Sequence, residues 1–168
     1  TFDGLKKTGV NTVRVPVAWS NFLTMEIPKE DGTVEKVTGA NNMYKAVDAI
    51  NTPMEGVTPA TEDTYYRIST ELMDRIETVI NYGLNDGMYI IFNIHWDGGW
   101  WGMFGAEEWD GTPLAQTDMK KNPIRYQAYK KYTDIWKQLS ERFKEYSDHV
   151  IFEGANEELS GRLNDDFR

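Results

Sequence analysis

The chain has 168 residues, 40% hydrophobic and 13% aromatic, which is enough for one domain with a real core and unlike a disordered segment. A formal net charge of −9 leaves no electrostatic footprint for nucleic acid or an anionic membrane. The absence of cysteine excludes a disulfide framework and thiolate chemistry, and no run reaches the roughly 18 apolar residues of a membrane span.

The chain opens on TFDGLKK, without an initiator methionine or a signal peptide, and is expected to be the interior of a longer sequence. Phe2, Leu5 and Gly9 suggest a short helix with Gly9 as its stop. Residues 11–19, NTVRVPVAW, are apolar and β-branched around a single charge, Arg14; this is the pattern of a buried strand. Residues 20–62 show no clear period and are punctuated by Gly32, Gly39, Pro53, Gly56 and Pro59. A connection that long is expected to be functional or mobile, with room for a short helix over Met43–Ile50. From Thr64 the spacing of Ile68, Leu72, Ile76, Val79, Ile80 and Gly83 predicts a helix, closed by Gly83 and Gly87.

Met88–His95 reads as a second buried strand, followed by the Gly- and Trp-rich loop WDGGWWGMFGAEEWDG. Asn122-Pro123 is a helix start, and Tyr129, Tyr132, Trp136, Leu139 and Phe143 form one apolar face expected to be core. Val150–Asn156 is the third strand. No internal repeat stands out. Strands apolar on both faces, alternating with helices, imply an α/β fold with a parallel sheet, either open and doubly wound or part of a barrel.

Polar residues gather late on these strands, where parallel α/β folds bind ligands. Asn93 and His95 close the second strand on one face; Asn156 and Glu157 close the third, where Glu153, Ala155 and Glu157 share a face. Arg14 inside its strand calls for a buried carboxylate, with Glu153 as the candidate, or serves a substrate; the two roles are compatible. His95 reads as a hydrogen-bonded structural residue or as a ligand. Trp96, Trp100, Trp101, Trp109 and Phe104 in one loop are too many rings to leave in water without cause. They suit stacking on pyranose faces, with one or two of them capping the end of the sheet. His95, Asp97, Glu107, Glu108 and Glu157 could ligate a metal. No HExxH, Cys/His cluster or EF-hand spacing is present, and neither is GxGxxG, a P-loop or GxSxG, so no metal or cofactor is expected.

The stretches TVRVPVAW, NIH and FEGANEE resemble, in order and spacing, the family 5 glycoside hydrolases, retaining endoglucanases and their relatives on a (β/α)8 barrel. The resemblance implies a partial TIM barrel over residues 1–168, from the first helix to the end of the fourth barrel strand, with no second domain. It assigns Glu157 as the acid/base catalyst, Asn156 to the sugar 2-hydroxyl, Arg14 to support of the nucleophile's charge, and His95 to a sugar hydroxyl, with Trp96, Trp100 and Trp101 as sugar-stacking rings. Two positions depart from the family pattern. Glu158 stands where proline is usual, which bears on local loop geometry, and Trp96 stands where a second histidine is common, which bears on subsite preference.

The family's nucleophile is a Glu closing the seventh strand, outside this chain. A barrel typically needs about 250 residues, so this segment by itself is expected to expose sheet edges and not to turn over substrate. The expected partner is a polysaccharide, a β-1,4-glucan, together with the missing carboxy-terminal half of the barrel, and neither nucleic acid nor membrane. Xyloglucan, mannan, xylan and mixed-linkage glucan are alternative substrates; a non-catalytic carbohydrate-binding protein and a metal-dependent barrel enzyme are alternative functions. An extracellular location is inferred from the bulk of the substrate.

Overall fold

The computed structural model describes residues 1–38, 60–95, 97 and 123–156, the last range without the side chains of 123–125. The chain begins with α1 (Phe2–Lys7), capped by Thr1, whose hydroxyl accepts from Gly4 N. Gly9, at a φ of 88°, turns the chain as the sequence suggested. The first barrel-type strand, β1 (Thr12–Val17), follows. Strands β5 (Tyr89–Ile94) and β6 (Val150–Glu153) pair with it in the order β1-β5-β6. Both pairings are parallel, with Val13 beside Ile90, Val15 beside Phe92, and Asn93 beside Glu153. These are the three strands expected from sequence, each ending one to three residues earlier. The sheet does not close into a barrel among the described residues.

One face of this sheet carries Val13, Val15, Val17, Ile90, Phe92 and Ile94, and helices α2 (Thr70–Asn85) and α3 (Pro123–Phe143) complete the core with it. Ile76 and Ile80 of α2 are buried there, as are Ile135, Leu139 and Phe143 of α3. The Phe92 ring lies 5.5 Å from that of Phe143 and 6.2 Å from that of Trp136. Tyr129, Tyr132 and Trp136 are only partly buried against this core. The second face bears Thr12, Arg14, Tyr89, Ile91, Asn93, Ile151 and Glu153, and there Tyr89 and Ile151 are exposed. The strands are therefore not covered equally on both faces among the described residues, as their sequence alone had suggested.

The region after β1 differs most from expectation. It holds strands β2 (Leu23–Pro28), β3 (Val34–Thr38) and β4 (Tyr65–Ile68), which form an antiparallel sheet in the order β3-β2-β4. Leu23, Met25 and Ile27 are buried on alternate positions of β2, the period of a half-buried strand. Ile68 belongs to β4, so the helix begins at Thr70, where the Ser69 hydroxyl accepts from Leu72 N. Side chains of α3 satisfy β4 on the side away from β2: Tyr66 N donates to Asp134 at 2.9 Å, Ile68 N donates to Gln138 Oε1 at 3.0 Å, and Gln138 Nε2 donates to Tyr66 O at 2.7 Å. The short helix expected over Met43–Ile50 lies outside the described residues. Among those described, no helix is long and apolar enough to cross a membrane.

Candidate active site

The carboxyl ends of β1, β5 and β6 are held level by backbone bonds that continue beyond the strands. His95 N donates to Val17 O and Asn156 N to Ile94 O, both at 2.9 Å. Behind the strand ends, Trp136 Nε1 donates to Gly154 O at 3.2 Å. A Cβ at Gly154 would lie 2.9 Å from the Tyr132 hydroxyl, so a larger residue here would have to push that ring away.

On the exposed face of the sheet, Arg14 leans from β1 across β5 to β6. Its Nε donates to Glu153 Oε2 at 2.7 Å, and its Nη2 donates to Glu153 Oε1 at 2.5 Å and to Asn156 Oδ1 at 2.7 Å. This is the forked geometry that a guanidinium makes with a carboxylate. The side chains retain 41% and 30% of their accessibility, so the carboxylate expected to be buried beside Arg14 is half-exposed. The Arg14 hydrogen bond holds the Glu153 carboxyl below its usual range; partial burial opposes this, and the Asn93 amide and nearby His95 reinforce it.

Asn93 is fully buried, and its amide nitrogen lies 3.4 Å from His95 Nδ1. Its backbone carbonyl accepts from Trp19 Nε1 at 3.2 Å, which seats the buried indole beneath the strand ends. Directly after β5, Asp97 is buried and accepts from Ser20 N at 2.8 and 3.0 Å and from Ser20 Oγ at 2.9 Å. Lys131, buried on α3, donates to Ser20 Oγ at 2.6 Å. Burial pushes its ammonium down to about 7, with Asp97 opposing.

Of the residues singled out from sequence, Arg14, His95 and Asn156 come together at one end of the sheet, with Glu153 as the partner expected for Arg14. Glu157, Trp96, Trp100 and Trp101 lie outside the described residues, as do Trp109, Phe104, Glu107 and Glu108. Asp97, weighed as a metal ligand, is engaged with Ser20. Sequence reasoning placed Asn93 on the right face without giving it a role, and it missed Ser20 and Lys131. Lys131 had a signal. It stands three residues after Ala128 and four before Ile135, both buried, so the helical period alone places it in the apolar stripe.

A cation, a carboxylate, two amides and an imidazole on one rim offer donors and acceptors to a polyhydroxylated ligand. The model of the cellulase family, glycosyl hydrolase family 5, matches residues 1–164. The chain is 29% identical over 155 residues to Endoglucanase B of Ruminococcus albus, covering 92% of this chain and 24% of that protein. It is 28% identical over 158 residues to a xyloglucan-specific endo-beta-1,4-glucanase of Bacteroides ovatus, covering 93% of this chain and 20% of that protein. Among solved structures, a family 5 lichenase from Caldicellulosiruptor sp. F32 superposes with a TM-score of 0.52 at 28% identity, covering 93% of this chain and 28% of that one. The chain thus spans about a quarter of the length of these relatives.

Proposed function

Since the chain belongs to the cellulase family, glycosyl hydrolase family 5, we propose that it carries the acid/base side of a retaining, endo-acting glycoside hydrolase that cleaves β-1,4-glucan outside the cell. Glu157 is the acid/base residue. It protonates the glycosidic oxygen as that bond breaks, then takes a proton from the water that releases the glycosyl-enzyme intermediate. The nucleophile is a second carboxylate about 5–5.5 Å away, supplied from outside these residues, so this segment alone does not turn over substrate. Asn156 Oδ1 accepts from Arg14, which turns the amide so that Nδ2 is the donor available to the sugar 2-hydroxyl. Arg14 supports the nucleophile's negative charge, and His95 binds a second hydroxyl. Trp96, Trp100 and Trp101 stack on sugar rings.

The observation that carries this reading is the Arg14–Glu153–Asn156 network at the strand ends, which fixes the residue immediately before Glu157. The similarity to a xyloglucan-specific enzyme favours xyloglucan as the second substrate to try. The test is Glu157→Gln in the full-length enzyme on both glucans. Turnover is expected to fall by about 10²–10⁴-fold, the share that general acid–base catalysis supplies, while substrate binding is kept. Unchanged turnover would remove Glu157 from the chemistry.

A further inference from the structure

Asn93 has no part in the roles proposed above, yet it sits between Glu153, its neighbour across the strands, and His95. Its side chain is fully buried. The amide nitrogen faces His95 Nδ1 at 3.4 Å and also contributes to holding the Glu153 carboxyl low. Its Oδ1 is buried without a hydrogen-bond partner among the described residues. A buried acceptor left unpaired costs about 1–3 kcal/mol, so something must prevent the amide from turning over. Glu153 is ionised and paired with Arg14, and an ionised carboxylate only accepts. Reversing the amide would set an oxygen against that carboxylate. The Arg14–Glu153 pair therefore holds the Asn93 NH2 group inward, where it can only donate to His95.

We propose that Asn93 is a positioning residue that fixes the tautomer of His95. Nδ1 accepts from Asn93, so the single proton of the neutral ring resides on Nε2. The ring thus presents an N–H, and not a lone pair, to whatever occupies the rim. On the reading of His95 as a sugar-hydroxyl contact, which this inference deepens, the site then discriminates in favour of an oxygen that can accept at that point. The order of influence runs Arg14 to Glu153 to Asn93 to His95, from β1 through β6 to the end of β5.

The test is the ring-nitrogen spectrum of histidine-labelled full-length protein, taken without substrate in alkaline buffer. The His95 signals are identified by their loss in His95→Gln. The wild-type ring is expected to show Nε2 as the protonated nitrogen and Nδ1 as the bare one. In Asn93→Asp, which places carboxylate oxygens where the amide donated, the proton should move to Nδ1. In Asn93→Ala, the ring should become a mixture of the two tautomers. A wild-type ring protonated on Nδ1 would overturn the proposal, and so would an Asn93→Asp protein whose His95 pattern does not change. The wild-type spectrum needs no variant to fold. Because no substrate is present, failure here is separate from failure of the glycosidase reading, which rests on the Glu157→Gln turnover.

Discussion

Arg14 reaches Glu153 through two N–H···O bonds and Asn156 through a third, a geometry that a lysine ammonium on its flexible stem cannot reproduce. Arg14→Lys keeps the charge but can grip only one of the two partners well, so Asn156 loses its fixed orientation. The expected outcome in the full-length enzyme is about a 10–100-fold loss of kcat, in keeping with the sensitivity of catalysis to small misplacements. The stability change should stay within about 1 kcal/mol, because a half-exposed ion pair is screened by solvent. The pH dependence has a definite sign. The Glu153 carboxyl lies below its ordinary value of 4.5 in the folded chain, so its stabilisation is complete above that value and is lost as the pH falls through the lower folded value. Acid unfolding followed by circular dichroism should show this loss in the wild type and a smaller one in Arg14→Lys. A variant with unchanged kcat would mean that the fork does not position Asn156 for the reaction. This pair was legible in the sequence because a lone arginine in an apolar strand is most often the partner of a carboxylate, and Glu153 was the candidate. Asn93 was not, because its role depends on which way an amide faces between two other side chains.

Helix α2 shows how closely the elements are fitted. Gly83 lies in its last turns, where alanine would ordinarily be favoured by about 1 kcal/mol. A Cβ there would fall 2.1 Å from Ile90 Cδ1 and 2.8 Å from its Cγ1, on a side chain that is wholly buried in β5. Gly83→Ala is therefore expected to destabilise the chain by about 1–3 kcal/mol through overpacking. Ile90→Val, which removes the Cδ1 atom, should recover part of that loss in the double variant, giving a non-additive cycle by denaturant unfolding. If Gly83→Ala raised stability instead, the close approach of α2 to the sheet would be wrong. The glycine was read from sequence as a helix stop, whereas the structure makes it a contact point. The antiparallel sheet was missed for other reasons. β2 has a readable alternation in Leu23, Met25 and Ile27, but β3 is an exposed edge with only two valines. β4 is four residues long and merges with the helical spacing, because Ile68 stands four residues before Leu72. What ties the other edge of β4 to α3 is Asp134 and Gln138, 68 and 70 residues from their backbone partners, and no local pattern announces such a partnership.

At the scale of the whole molecule, three distant parts of the chain meet at Lys131. Its ammonium on α3 donates to Ser20 after β1, and Ser20 donates to Asp97 after β5. Asp97 follows His95 by two residues, so the buried chain ties the exit of β5, and with it the rim of the site, to the helix layer. An ammonium taken wholly out of water resists its own charge, and burial lowers the Lys131 value from 10.5 to about 7 despite Asp97. Between those two values the unfolded chain binds more protons than the folded one, so this group makes stability rise with pH across that window. Below about 7 the folded lysine is charged as well, and the group contributes no further slope. Lys131→Met keeps the length and apolar stem of the side chain and removes the titrating group. In the wild type, Tm is expected to climb by about 6–12 °C between roughly pH 7 and 9.5 relative to the same interval in Lys131→Met, since each pH unit of this window contributes about 1.4 kcal/mol and 1 kcal/mol corresponds to about 2–4 °C for a domain of 150–250 residues. Thermal unfolding at half-unit pH steps in both proteins measures the difference directly. Parallel slopes would mean that Lys131 keeps its charge when folded, and that the Ser20–Asp97 cluster stabilises an ammonium far better than its burial implies.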